Sequence, residues 1–261
     1  MRVLPVIDLQ RGVAVHGRAG QRERYRPVES VLSASADPVE LARGFQRQLE
    51  LETVYVADLD GLSGEAVQWP VLEGIAELGM RGWLDAGVRD AASAARIAAR
   101  LPSDWELIVG LESLASAAEL AAIGTHWPLE RLVVSLDLKS GHIWSRCESW
   151  QESEPLEVAC ELLALGVRRM ILLDVSRVGM EAGTGTAELV RAIRHAQQNL
   201  VTVSERVELW SGGGVRGREE LQALARNTCD GVLLATALHA GRITVEDLRA
   251  IGAVPRRDGS A

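Results

Sequence analysis

What this chain lacks narrows its class before any motif is read. Its 261 residues hold only three cysteines, Cys147, Cys160 and Cys229, with no CxxC spacing. That reads as reduced thiols of a cytosolic protein, and excludes a disulfide frame or a zinc ribbon. Five histidines, His16, His126, His142, His195 and His239, form no HExxH and no paired cluster, so neither a metal nor another cofactor is expected. There is no Lys/Arg block and no basic-aromatic stripe; the net charge is -8 and the pI about 5.3. Nucleic acid is therefore not an expected partner. No apolar run is long enough to span a bilayer, and the first one is too short for a signal peptide, so no membrane is expected either. No GxGxxG follows the first apolar run, which argues against an open dinucleotide-binding sheet.

What is present is ample core material, 47% hydrophobic against 25% charged, in an alternating order. Short β-branched runs at Val3–Ile7, Thr53–Ala57, Gly82–Leu84, Glu106–Val109, Arg131–Leu136, Arg169–Leu173, Arg206–Leu209 and Gly231–Leu234 read as strands. Between them, Ala/Leu-rich stretches near 38–50, 69–79, 90–101, 115–124, 155–165, 185–198, 217–227 and 244–251 read as helices. Asp37 before Pro38, Asp90, and Thr244 with Asp247 are start signals; Gly79 and Gly166 are stops. Eight β-then-α units in this length predict an α/β fold, the (β/α)8 barrel, over residues 1–254. The tail, 255–261, reads as disordered.

An internal repeat supports the barrel. Asp8-Leu9-Gln10-Arg11-Gly12 returns as Asp137-Leu138-Lys139-Ser140-Gly141, and Ala86-Gly87-Val88-Arg89 as Gly213-Gly214-Val215-Arg216. Tyr55–Asp58 resembles Ile171–Asp174, and Ser113-Leu114 weakly matches Ala237-Leu238. Four strand ends echo in order, about half a chain apart, which predicts two (βα)4 halves near 1–125 and 126–250. Strands 1 and 5 then face each other across the barrel, as do strands 3 and 7.

Three features carry the chemistry. Asp8 and Asp137 end opposite strands at the mouth, where two carboxylates can divide general-base and general-acid work. Asp58 and Asp174 end strands 2 and 6 and can either assist or tie down loops. In Val207–Arg216 a strand runs into Ser211-Gly212-Gly213-Gly214 and then a helix, an arrangement whose free N–H groups suit a phosphate. The long segments 9–36 and 138–153, the second holding Trp144 and Trp150, are expected to act as lids.

These residues resemble a known family, the half-barrel-repeat enzymes of histidine biosynthesis: the ribotide isomerase and the imidazole-glycerol-phosphate cyclase. The resemblance rests on Pro5-Val6-Ile7-Asp8-Leu9 with Gly12, Val56–Gly61, Val134-Ser135-Leu136-Asp137 with Gly141, Ser211–Val215, and Ala237-Leu238. The isomerase is the nearer member. It implies a metal-free Amadori rearrangement of a phosphorylated ribosyl-amine, an aminoaldose becoming an aminoketose. It also implies Asp8 as the base at C2, Asp137 as the acid that opens the furanose, and Trp150 stacked on the substrate. A phosphate would sit at Ser211, Gly212, Gly213 and Gly214 with Ala235 and Thr236; Asp174, Gly87 and Gly110 complete the implied contacts. Such a protein is expected to be cytoplasmic, a monomer or small homo-oligomer, with a small phosphorylated substrate as its partner.

The chain departs from that pattern. Where the family has a Thr and an Asp-Gly pair at strand 6, it has Leu173 and Val178-Gly179; strand 3 ends in Asp85, and Glu112 follows strand 4. These departures resemble a divergent branch associated with tetrahydromethanopterin-linked one-carbon metabolism. They imply two alternatives: a reaction on a mono-phosphorylated metabolite, or a barrel that binds one without catalysis. If Asp85 and Glu112 are not neutralised by Arg89 or a loop arginine such as Arg18, the expected ligand has one phosphate and a neutral or cationic far end.

Overall fold

A computed structural model describes residues 1–127, 131–199, 206–226 and 229–255. Its strands are β1 Arg2–Gln10, β2 Thr53–Asp58, β3 Arg81–Asp85, β4 Glu106–Gly110, β5 Leu132–Lys139, β6 Arg169–Asp174, β7 Glu208–Gly212 and β8 Gly231–Leu234. Each pairs in parallel with the next, and β8 returns to β1 through Arg2↔Gly231 to Pro5↔Leu234. That last pairing closes the barrel and excludes an open sheet. Strands buried on both faces need continuous apolar runs, which is why Leu107-Ile108-Val109 and Leu132-Val133-Val134 were legible as strands.

Around the barrel lie α1 Pro38–Leu49, α2 Trp69–Ala76, α3 Ala91–Ala98, α4 Ala117–His126, α5 Pro155–Ala164, α6 Ala187–Asn199, α7 Arg218–Arg226 and α8 Val245–Ala250. The expected caps are in place. Asp37 accepts the Val39 and Glu40 N–H groups ahead of α1, and reciprocal capping boxes start α3 (Asp90, Ser93) and α8 (Thr244, Asp247). Gly79 and Gly166 follow helix ends at φ +76 and +93. Three short helices, Leu59–Ser63, Glu148–Gln151 and Thr236–His239, escaped the sequence reading because none spans enough turns to show a period. The predicted end of the seventh helix at 227 and tail residues 256–261 lie outside the described residues. No helix among the described residues is long and apolar enough to cross a membrane.

The lumen is filled. Leu4, Trp83, Ile108, Val133, Ile171, Trp210 and Leu233 pack inside the barrel as one buried cluster. Trp83 and Trp210, at equivalent places in the two halves, meet edge to face with ring centroids 4.6 Å apart. Arg2 lies over the Trp210 ring at 4.7 Å, and Arg169 ties Glu106 to Glu208 beneath it. This end is a floor.

At the other end the halves repeat in register. Asp8 pairs with Ala57 and Leu9 with Asp58; Asp137 pairs with Leu173 and Leu138 with Asp174. β1 and β5 each fold back into a short antiparallel arm, Val13–Val15 and His142–Ile143. The two-residue turns, Arg11-Gly12 and Ser140-Gly141, have φ of 49 and 78, and 54 and 84. Both central residues are left-handed, as a tight hairpin requires, so the repeated glycine of the Asp-Leu-x-x-Gly motif serves the turn.

Candidate active site

Asp8 and Asp137 reach one cleft above the lumen from strands four apart around the barrel. Two more carboxylates, Asp85 and Glu112, line it, with Tyr55 from β2 and Arg22 and Tyr25 from the loop after β1. The loop after β6 contributes Val178 and Gly179, and Trp144 closes the β5 side. The loops after β1 and β6 touch each other: Ala19 N–H donates to Val178 O at 2.8 Å, and a Cβ on Gly179 would stand 2.2 Å from Gly17 O. The first loop thus covers the cleft as expected of a lid, but its partner is the β6 loop.

The two aspartates sit in different surroundings. Burial pushes Asp8 up to about 6, opposed by the Gly17 N–H it accepts and by the Arg22 charge. Burial pushes Asp137 well above the carboxylate range, and the neighbouring Glu112 adds to it; a 2.7 Å bond from the Ser135 hydroxyl opposes the rise. Asp8 is therefore mostly charged at neutral pH, while burial and the Glu112 charge both favour the protonated form of Asp137. Two carboxylates of one cleft thus differ in proton affinity through their surroundings alone.

Asp85 is raised to about 6 by burial, against bonds from Gly87 N–H and the Tyr55 hydroxyl at 3.3 Å each. Glu112 is raised to about 7 by burial and then by the Asp85 charge, with Arg22 pulling it back. The cation that answers this cluster is a loop arginine as expected, but it is Arg22, and neither Arg89 nor Arg18. Arg89 donates to Leu62 O at 3.2 Å, while Arg22 stands 3.9 Å from Glu112 and donates to the Ser63 hydroxyl at 3.0 Å. At 3.9 Å, with both side chains partly hydrated, the pairing offsets little of the negative charge.

Across the cleft the wall is backbone. Gly213 and Gly214 line it at φ +81 and +75, beside Ala235 and Thr236. The N–H groups of Gly213, Gly214, Val215, Ala235 and Thr236 have no acceptor among the described residues. A Cβ on Gly214 would stand 2.7 Å from Gly183 O, so the turn admits only glycine there. Ser211 and Gly212 lie behind it: the Ser211 hydroxyl bonds Thr186 at 2.6 Å, and Gly212 packs on Leu173 and Leu233.

Four implied contacts fall elsewhere. Trp150 does not line the cleft; its ring is buried in the helical layer and its Nε1 donates to Glu161 at 2.7 Å, so Trp144 is the tryptophan at the mouth. Asp174 is committed to the chain. It accepts the Ser140 and Gly141 N–H groups, which pin the β5 hairpin turn, and both donors of Ser176. Burial raises it, but those bonds outweigh that and hold it below the usual range. Asp58 similarly accepts Gly61 and Gln68 N–H. Gly87 packs against Leu62 and Gly61 O, and Gly110 backs Asp137, where a Cβ would stand 3.1 Å from Oδ2. Tyr55 and Arg22 were missed. Tyr55 sits on β2 two residues before Ala57, on the same inward-facing side, and was readable by alternation; Arg22 carried no sequence signal.

The pattern of the family described as histidine biosynthesis protein matches residues 2–244. The chain belongs to that family. An uncharacterized protein of Methanocaldococcus jannaschii is 31% identical, over 95% of this chain and 97% of its own length. Proteins named 1-(5-phosphoribosyl)-5-((5-phosphoribosylamino)methylideneamino)imidazole-4-carboxamide isomerase are similar too. That of Nitratidesulfovibrio vulgaris is 33% identical over 95% of this chain and 94% of its own. That of Thermococcus kodakarensis is 30% identical over 98% and 100%. In this member of the histidine-biosynthesis family, Leu173 and Val178 present apolar side chains to the cleft where the resemblance expected a Thr and an Asp.

Proposed function

We propose that this protein is an isomerase of the aldose-ketose type, acting on a phosphorylated ribosyl-amine. The observation that carries the reading is that Asp8 and Asp137 meet in one cleft in unlike surroundings, beside a wall of free N–H groups. The nest at Gly213-Gly214 with Ala235 and Thr236 holds the phosphate. Asp137 gives its proton to the ring oxygen, and the furanose opens to an iminium. Asp8 then removes the C2 proton, leaving an enolamine that becomes the ketose when C1 is protonated and the 2-hydroxyl gives up its proton to become the carbonyl. Tyr25 and Trp144 wall the substrate from water.

A specific observation favours a narrower substrate. Asp85 and Glu112 stand where a second phosphate would lie, and Arg22 answers only part of their charge. Like charges so placed disfavour an anion by several kcal/mol on the order of magnitude usual for buried sites. The preferred ligand accordingly has one phosphate and a neutral or cationic far end. It is a small cytosolic metabolite, and its activity falls below about pH 6 as Asp8 takes up a proton.

The deciding experiment is complementation of a histidine auxotroph that lacks the isomerase. Growth supports the bisphosphate isomerase reading. No growth from soluble, folded protein, together with turnover of a mono-phosphorylated amino sugar, supports the narrower one. Absence of turnover on either class leaves only a phosphometabolite-binding barrel.

A further inference from the structure

The residue that follows the first hairpin arm has no part in the reading above. Val13–Val15 runs back along β1, and the chain leaves it at His16, whose backbone N–H donates to Arg26 O at 2.9 Å. The imidazole spans the seam where β8 meets β1: its Nε2 lies 3.0 Å from Thr236 Oγ1. The next residue, Gly17, gives its N–H to Asp8, and a Cβ there would stand 2.5 Å from an Asp8 carboxylate oxygen. One dipeptide thus touches the base through Gly17 and the phosphate corner through His16.

A threonine hydroxyl has a single proton to direct. If Nε2 is bare, Thr236 spends that proton on the imidazole and turns lone pairs toward the cleft, where they repel a phosphate. If Nε2 carries the proton, it donates to Oγ1, and the Thr236 proton is free for a phosphate oxygen. The charged and titratable groups around the ring are Arg18 and Glu181 from the two facing loops and His239 behind Thr236. Burial and then Arg18 lower the His16 pKa, against the opposite pull of Glu181. The ring is therefore neutral near pH 7 and has one N–H to place.

Building on the phosphate reading of Gly213-Gly214, we infer that His16 is a positioning residue: it donates from Nε2 to Thr236 and so aims the Thr236 hydroxyl at the substrate phosphate. His16 itself touches neither phosphate nor reacting carbon. It links the phosphate corner to the hairpin that seats the base.

The test uses the full chain with inorganic phosphate as the probe, followed by NMR. The Gly213 and Gly214 amides shift on titration, and the His16 ring nitrogens report the Nε2–H form in the bound state. His16→Leu and Thr236→Val each weaken phosphate roughly tenfold, as loss of a hydrogen bond to a charged group does. The double variant is no weaker than either single, since both act through one hydroxyl. His16→Gln, whose amide also donates, stays within about threefold of wild type. Glycine amides that shift while His16→Leu binds normally, or while the two losses add, or while the bound ring is in the Nδ1–H form, overturn the relay and leave the phosphate reading standing. Glycine amides that stay still at high phosphate overturn both.

Discussion

The two half-barrels share an order of strands and turns and differ in the charge they bring to the mouth. Gly87 and Gly214 are equivalent, and both are left-handed, at φ +72 and +75. Each is pressed against the loop after the preceding strand: a Cβ would stand 2.9 Å from Gly61 O in one half and 2.7 Å from Gly183 O in the other. The next place along is where they part. Gly213 is left-handed, whereas its counterpart Ala86 is not, and the residue before is Asp85 in one half and Gly212 in the other. At the tip of the third strand an Asp and an Ala stand where the seventh has two glycines, and with Glu112 they replace a wall of N–H donors by one of carboxylates. Duplicated architecture fixes where groups stand, not which sign they carry.

That contrast can be broken or sharpened experimentally. The largest effect is expected where the halves cooperate. Asp8→Asn and Asp137→Asn should each lower turnover on the true substrate by roughly a hundred- to ten-thousandfold, with unfolding curves close to wild type. Near-normal turnover in either variant would make that carboxylate structural. Next, Gly213→Asp puts a carboxylate into the donor wall of the second half, one place beyond the counterpart of Asp85; Asp tolerates a left-handed backbone better than most residues. Phosphate affinity, measured by calorimetry, should drop roughly a hundredfold, and unchanged affinity would move the phosphate elsewhere.

The acidic half should also reveal itself in stability against pH. Asp85 and Glu112 have folded pKa values near 6 and 7, above their unfolded values. Below about pH 4 both states are protonated and nothing is lost. Between there and pH 7 the folded state binds more protons, so raising the pH destabilises the fold. Asp85→Asn should recover roughly 2–3 kcal/mol at pH 8 relative to pH 4.5, read as a flatter dependence of Tm on pH. A Tm that falls as steeply in the variant would argue against a strained carboxylate. The smallest effect belongs to the residues that only hold loops. Asp174→Asn should cost about 1 kcal/mol of stability through the Ser140-Gly141 turn and leave substrate affinity nearly intact. A large loss of affinity would return Asp174 to the substrate.

The barrel was readable because its signals are local: buried parallel strands are uninterrupted apolar runs, and Asp37, Asp90 and Thr244 announce their helices. The Asp8 and Asp137 pair was readable because duplication wrote it twice. The hairpin arms were not seen, since the turns at Arg11-Gly12 and Ser140-Gly141 look like the start of any loop. The choice between Trp144 and Trp150 was beyond the sequence as well. Both lie in one polar segment, and only the Glu161 carboxylate on α5, eleven residues from Trp150 in the chain, decides which ring turns inward. Arg22 meets Glu112 across 90 residues of chain, a distance over which spacing carries no information.

The tryptophan floor has a consequence for traffic. With Trp83 and Trp210 packed edge to face across the lumen, the described residues leave the cleft no passage through the barrel. Whatever the cleft binds must arrive and depart on the loop face, the face that the seam of Ala19 and Val178 crosses.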